Sequence, residues 1–521
     1  MHPICRTDVG DYCFCVADVL KLLWVKVLML QETMTVPVAL CDLVGLKENG
    51  EDLVTVECSV PTGLERYAVV EVLEKFGVSA MQGRGKMFFD VSASRLSEVL
   101  SLRSVDNAYL VIHYVNDMQF PEDGLKCLQM MCERVPKIDW KRGLDAWKLC
   151  GRNRRDLNTD PKPGYPESPF YIVDVNAVQR QIEDSTAKRL AAKQHRSKKP
   201  NSDGRRNRNH LNRVLKAPQE NDSGSDGYPS FRVTCHRADE RNVSVPGFES
   251  PEAACEFGGA VLNSFGWPVR MKGFDLEVML NIVYRKVLVD PIGDGEEGRK
   301  KPLDTVYVAL KLNDESMYQR NVVEFGPTTM RATIAFGLVK AGRVSVGDLV
   351  LDPLCGSGAI PIEGAMAFPG AVFFASDNFD AAPTRTVKNM DHANSTVSED
   401  KFLGVFQGDA KRIPLRDSSL DTVVTDLPFG KRMGSISDNR VSYRYFLLEF
   451  ARVLRPNSGT LVCITYDVRS LTQVLSLGNV KKLWSWVHDH PVNIGGLKGK
   501  VFICRRSKEM PEELDADLSV S

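Results

Sequence analysis

The chain has 521 residues, and its 67 Lys and Arg balance 67 Asp and Glu. That length exceeds one hydrophobic core, so two or three domains are expected. Zero net charge with 43% hydrophobic residues excludes a disordered chain and a protein that coats nucleic acid by bulk charge, leaving local patches as the route to phosphate.

The first 51 residues are apolar from Tyr12 to Leu30, but Asp18, Lys21 and Lys26 interrupt the run. This is a poor spanning helix and a poor signal peptide, and it reads as a short amphipathic helix or a leader ahead of a start at Met34. Residues 52–165 alternate short strand patterns (Leu53–Val56, Met87–Val91, Tyr109–Ile112) with helical ones such as Leu64–Leu73, an α+β unit. Residues 166–228 form a basic insert: Thr186–Lys216 carries 11 Lys and Arg against the single acid Asp203, and is expected to be flexible. Residues 229–324 make a second α+β unit, with a strand from Phe231 and a helix near Pro251–Phe265.

From 325 to 507, ahead of a short tail (508–521), strands alternate with helices, the mark of an α/β doubly wound parallel sheet. Gly326–Thr329 reads as a helix start leading into Met330, Ile334 and Leu338. Strands are expected at Leu349–Leu351, Val372–Asp377, Val405–Phe406, Thr422–Thr425 and Thr460–Ile464, with a hairpin around Gly495–Gly499. The 13 cysteines contain no CxxC pair and the eight histidines no cluster, which points to a reducing compartment, the cytoplasm, and to no bound metal.

Two motifs carry chemistry. Strand Leu349–Leu351 runs into Asp352-Pro353-Leu354-Cys355-Gly356-Ser357-Gly358, a glycine loop that lets backbone approach a ligand. The third glycine of a dinucleotide fingerprint is replaced by Pro361, and Asp352 would repel a pyrophosphate. A cationic sulfonium methyl donor suits the loop better. Asp377, 19 residues beyond Gly358, stands where a carboxylate accepts ribose hydroxyls, and Asp409 where a side chain binds an adenine amine. A lone aspartate after a strand is usually a turn former; three at successive strand ends beside a glycine loop are harder to dismiss.

The second motif is Asp426-Leu427-Pro428-Phe429. Alone it reads as a proline turn closing a strand. Chemically it joins a carboxylate, backbone carbonyls and a stacking ring, the parts needed to hold a nucleobase by its exocyclic amine. That amine is planar and poorly nucleophilic. Hydrogen bonds to Asp426 and to the carbonyl of Leu427 or Pro428 favour its pyramidal form and the positive charge growing on nitrogen. Stacking on Phe429 contributes about 1–3 kcal/mol. Lys431 and Arg432 follow at once, as solvated loop charges or as phosphate contacts. Cys355 has no histidine partner to make it a nucleophile.

The stretches Phe325–Arg331, Asp352–Glu363 and Asp426–Gly434 resemble the THUMP-domain tRNA (guanine-N2)-methyltransferase family, as do Ser59–Glu65, Phe231–Arg237 and Val492–Leu497. The resemblance covers roughly residues 52–150 and 228–506. It implies a Rossmann-type class I methyltransferase domain preceded by a ferredoxin-like domain and a THUMP domain that grips the tRNA acceptor end. It further implies methylation of the N2 amine of an acceptor-stem guanosine, position six, and a small zinc-binding activator subunit as heterodimer partner. Residue by residue, it implies S-adenosyl-L-methionine on Asp352, Cys355, Gly356, Gly358, Asp377, Asn378, Asp409 and Ala410, and RNA on Thr328, Arg331, Lys431 and Arg432. The segment from about Asp290 to Tyr307 reads as an insertion between THUMP-domain strands. An adenine-N6 methyltransferase, or a non-catalytic RNA-binding adaptor, are the other readings these residues leave open.

Overall fold

The computed structural model describes residues 53–151, 154–165, 227–239, 247–284, 304–326, 328–398, 401–428 and 436–511. The N-terminal leader, nearly all of the basic insert and the residues 429–435 with Phe429, Lys431 and Arg432 lie outside them.

Two seven-stranded sheets organise the chain. The first joins β1 (Leu53–Ser59), β2 (Met81–Gly83), β3 (Lys86–Ser92) and β4 (Asn107–Met118) to β5 (Phe231–Asp239), β6 (Leu276–Tyr284) and β7 (Asp304–Lys311), in the order β2-β3-β1-β4-β7-β6-β5. The two α+β stretches therefore share one sheet through the antiparallel β4–β7 pair. Only β5 and β6 run parallel, across the helix Ser250–Phe265. The sequence sets that helix's ends. Glu249 and Glu252 form a reciprocal capping box, Pro251 opens the first turn, and Gly266 closes it in the left-handed region at φ 70°. Asp304–Tyr307, expected within the insertion, instead begin β7, because Val306 and Val308 alternate into the shared core as strand residues do.

The second sheet holds β8 (Leu349–Asp352), β9 (Val372–Asp377), β10 (Leu403–Gln407), β11 (Thr422–Asp426), β12 (Thr460–Thr465), β13 (Trp484–Ile494) and β14 (Leu497–Arg506). Its order is β10-β9-β8-β11-β12-β14-β13. Counting from β8 as one, that is 3-2-1-4-5-7-6, with five parallel strands and an antiparallel hairpin whose second strand is inserted against β12. The order reverses between β8 and β11. Ligands of open α/β sheets bind in the crevice beyond the strand ends at such a point.

The helix expected from Gly326 starts later, at Ala332. Gly326 and Thr329 are engaged elsewhere: the Thr329 hydroxyl accepts the Gly326 N–H at 2.8 Å and receives a hydrogen bond from Ser357 at 3.2 Å. The preceding linker is held by Asn389, fully buried on the helix Ala381–Asn394. Its carbonyl oxygen accepts the Val323 and Glu324 N–H groups, and its amide donates to the carbonyls of Glu324 and Ser357. Linker and glycine loop are thereby one unit.

The N-terminal sheet docks on the C-terminal one through the helix Glu65–Phe76 and the turn before it. Leu64 and Tyr67 share a core with Leu338, Val339 and Val492. The Asn493 N–H donates to the Thr62 carbonyl at 3.0 Å. Gly63, at φ 99°, fits only because it lacks a side chain, since a Cβ there would meet the Pro491 carbonyl at 2.2 Å. No helix among the described residues is long and apolar enough to cross a membrane.

Candidate active site

β8, β9 and β11 each end in an aspartate: Asp352, Asp377 and Asp426. Asp352 is buried. Its Oδ1 accepts the Leu354 N–H at 3.1 Å and the Thr425 hydroxyl at 2.8 Å, tying the first loop to β11 across the switch point. The glycine loop is braced against β9. The Cys355 N–H donates to the Ser376 carbonyl at 2.9 Å, and the Gly356 N–H to Asp377 Oδ2 at 2.9 Å. Gly356 and Gly358 occupy the left-handed region at φ 57° and 80°. A Cβ at Gly358 would lie 2.5 Å from Thr386 Cγ2, whereas one at Gly356 would meet nothing within 4 Å. The backbone at Gly358 is thus pressed onto the helix Ala381–Asn394, while that at Gly356 faces open space. This is the cradle a ligand backbone contact requires.

Asp377 also accepts the Phe379 N–H through Oδ1 at 2.9 Å, and Asn378 beside it is exposed. Asp409 is exposed two residues beyond β10. Its Oδ1 accepts the Lys411 N–H at 2.9 Å, a turn that leaves its second oxygen to solvent, while Ala410 is buried behind it. Cys355 is buried against Thr386, Sγ to Oγ1 3.6 Å, and burial pushes its thiol well above the ordinary range. It packs the loop as a neutral thiol.

Asp426 differs from the other acids. Its Oδ1 is buried and has no hydrogen-bond partner among the described residues. Burial pushes its carboxyl up to about 7 and that of Asp352 to about 8, the latter raised further by the charges on Asp377 and Asp426. Converging carboxylates whose ionisation is suppressed for want of a counter-charge make a site complementary to a cation. Leu427 is buried with its N–H on the Ile464 carbonyl at 3.0 Å, and the Pro428 carbonyl accepts the Tyr443 hydroxyl.

Of the residues assigned to RNA, Thr328 is exposed beside the linker turn. Arg331 packs over the Tyr318 ring at 4.5 Å and reaches Asp106 at 3.4 Å, with 41% of its side chain still exposed. Sequence reasoning passed over Thr425, Thr386, Asn389 and Tyr443. Each is an ordinary strand or helix residue whose part appears only when distant segments meet.

The strand order, the glycine cradle at the switch point and the acids at successive strand ends define a class I methyltransferase. The RMKL-like methyltransferase domain family matches residues 320–498. The chain is 35% identical over 505 residues to the tRNA (guanine(6)-N(2))-methyltransferase THUMP3 of Bos taurus, covering 91% of this chain and 93% of that one. Against THUMP3 of Homo sapiens it is 33% identical over 494 residues, covering 91% and 92%. TrmN from Thermus thermophilus aligns with a TM-score of 0.56 at 18% identity, over 87% of this chain and 99% of its own, a likeness of fold. The chain belongs to the THUMP-domain tRNA (guanine-N2)-methyltransferase family.

Proposed function

We propose that this chain transfers a methyl group from S-adenosyl-L-methionine to the N2 amine of an acceptor-stem guanosine of tRNA, at position six. The observation that carries this reading is Asp426 Oδ1, a buried acceptor with no partner among the described residues, at the end of the strand beside the glycine loop. Such an oxygen is costly to leave unpaired. An amine N–H satisfies it, and the second N–H meets a carbonyl of the turn. Residues 325–507 then carry the transfer, and the units at 52–165 and 229–324 hold the acceptor end. The guanosine leaves its helix to reach the site, at a cost of a few kcal/mol.

The donor set fits the cofactor: a glycine cradle, the Asp377 carboxylate for hydroxyl donors, and acids around a cationic centre. When bound there, S-adenosyl-L-methionine supplies an electrophilic methyl group. Asp426 accepts one amine N–H, orients the nitrogen lone pair, and opposes the positive charge that grows as the amine is alkylated. It then stands as the nearest base for the released proton.

The small zinc-binding activator finds a site at β10, the outer strand of the catalytic sheet. Phe402, 73% exposed, precedes that strand, and Leu403 and Val405 are half-buried. An open apolar strand edge is a template for pairing with another chain.

The deciding experiment methylates a defined tRNA with and without the activator and maps the product by nucleoside mass spectrometry. N2-methylguanosine at position six is the expected product. Methyladenosine would move the assignment to the adenine reading. No product, with no heat of binding for the methyl donor, would leave the adaptor. The pH profile gives a second check. A carboxyl raised to about 7 is protonated below that pH, losing the negative charge that opposes the alkylated amine and the ability to take its proton. kcat/KM is therefore expected to fall about tenfold per pH unit below about pH 7, and kcat to fall only at lower pH, because a bound cation favours the carboxylate. A kcat/KM flat from about pH 5.5 to 8 would contradict this part of the reading.

A further inference from the structure

The turn that grips the amine offers two backbone carbonyls, Leu427 and Pro428. We propose that Tyr443 is a positioning residue that chooses between them. It withdraws the Pro428 carbonyl and leaves Leu427 as the backbone acceptor beside Asp426; the inference rests on the amine-binding reading above.

Tyr443 lies on the helix Ile436–Val453 with no exposed surface. Its hydroxyl donates to the Pro428 carbonyl and also pairs with the Thr465 hydroxyl at 3.0 Å. Counting protons fixes the direction of the chain. A tyrosine hydroxyl has one hydrogen, and here it goes to Pro428, so Thr465 donates to Tyr443. Thr465 Oγ1 in turn accepts the Asp467 N–H at 3.0 Å. Three hydrogen bonds thus run one way, from the Asp467 N–H through both hydroxyls to the Pro428 carbonyl, and each polarises the next.

Both ends are anchored. Asp467 caps the helix Val468–Leu475 through the Ser470 N–H at 3.2 Å and accepts the Asn439 amide at 3.0 Å, from the same helix that bears Tyr443. Thr465 and Asn439 are buried, so no side chain in the relay has water as a substitute partner. Pro428 adds a further constraint, since it carries no N–H and its φ is fixed near −65°. A carbonyl clamped on that residue sets the peptide plane that follows it. The Leu427 carbonyl accepts no hydrogen bond among the described residues. Asp426 Oδ1 and the Leu427 carbonyl are then two acceptors one residue apart, one for each N–H group of an amine, while the Pro428 carbonyl is turned to Tyr443.

The test is steady-state kinetics of the full chain, with activator if activity requires it, for Tyr443→Phe, Thr465→Val and Thr465→Ser. Tyr443→Phe keeps the ring and loses the relay. Its kcat is expected to fall about tenfold, while the tRNA KM and the donor affinity stay within about twofold. Thr465→Val is expected to lower kcat in the same selective way, and Thr465→Ser to recover what it loses. Unchanged kcat in Tyr443→Phe and Thr465→Val would overturn the proposal, as would losses of donor affinity that match the losses in kcat. Asp426→Ala separates the two levels. If it is inactive while Tyr443→Phe is normal, only the positioning role falls; if Asp426→Ala remains active, the amine-binding reading itself falls.

Discussion

Asp426→Ala is expected to lower kcat by about 10³-fold while donor affinity changes by less than about threefold. The asymmetry follows from the geometry. Asp377 and the Gly356 backbone, proposed to hold the cofactor, bond to each other and not to Asp426. Asp426 influences the cradle only by its charge, which raises the Asp352 carboxyl. Alanine removes that repulsion, so Asp352 ionises at lower pH in the variant and binding of a cationic donor holds to more acid conditions. Asp426→Asn separates two roles. The amide keeps one acceptor oxygen for the amine but cannot ionise or take a proton, so its kcat is expected to fall less than that of alanine, and the acid limb near pH 7 to disappear. Should both variants turn over near the wild-type rate with the acid limb intact, Asp426 is not the group that grips the amine.

The sequence made strand ends legible because they are written locally. A β-branched run such as Thr422–Thr425 ending in an acid reads as a buried strand meeting a turn, and strand ends located Asp352 and Asp377 in the same way. Tertiary pairing was not written locally. The two α+β stretches read as separate units, because nothing in Tyr109–Ile112 names β7 as its neighbour more than 190 residues away. The helix start near Gly326 was misplaced for a related reason. The Gly-Pro-Thr-Thr pattern is a good helix opening in isolation, but Thr329 is drawn to Ser357 on the glycine loop, and a hydroxyl that bonds outside the segment cannot cap it. Tyr443 gave no signal at all. A tyrosine among apolar residues on an amphipathic helix looks like core until the Pro428 carbonyl is brought to its hydroxyl.

Glu363→Ala is expected to destabilise the chain more than any single surface change, by about 3–5 kcal/mol. Glu363 sits on the helix Ala359–Ala367, directly after the glycine loop, and has no exposed surface. Burial alone would raise its carboxyl, yet Arg320 and Arg103 more than reverse this and hold it below the ordinary range. Arg103 Nε lies 2.6 Å from Oε1, Arg320 Nη2 lies 2.7 Å from the same oxygen, and the Asn321 amide donates to Oε2 at 2.8 Å. Asn321 adopts φ 67° to do so, a conformation asparagine tolerates better than most residues. Arg103 belongs to the N-terminal sheet's unit, Arg320 and Asn321 to the linker, and Glu363 to the catalytic domain, so one carboxylate joins three segments. Alanine leaves two half-buried guanidinium groups facing each other without a counter-charge. The two sheets are therefore expected to melt as one transition in the wild type and as two in Glu363→Ala, read by calorimetry. Because the depressed carboxyl contributes stability above its unfolded value of about 4.5 and loses it as pH falls through the lower folded value, the wild type is expected to approach the variant's behaviour only in strong acid. Donor binding, built within the catalytic domain, is expected to survive at neutral pH, while tRNA methylation falls because the unit proposed to hold the acceptor end no longer sits at a fixed distance from Asp426. A single unchanged transition in Glu363→Ala, with full tRNA activity, would show that apolar packing of Leu64 and Tyr67 alone fixes that distance.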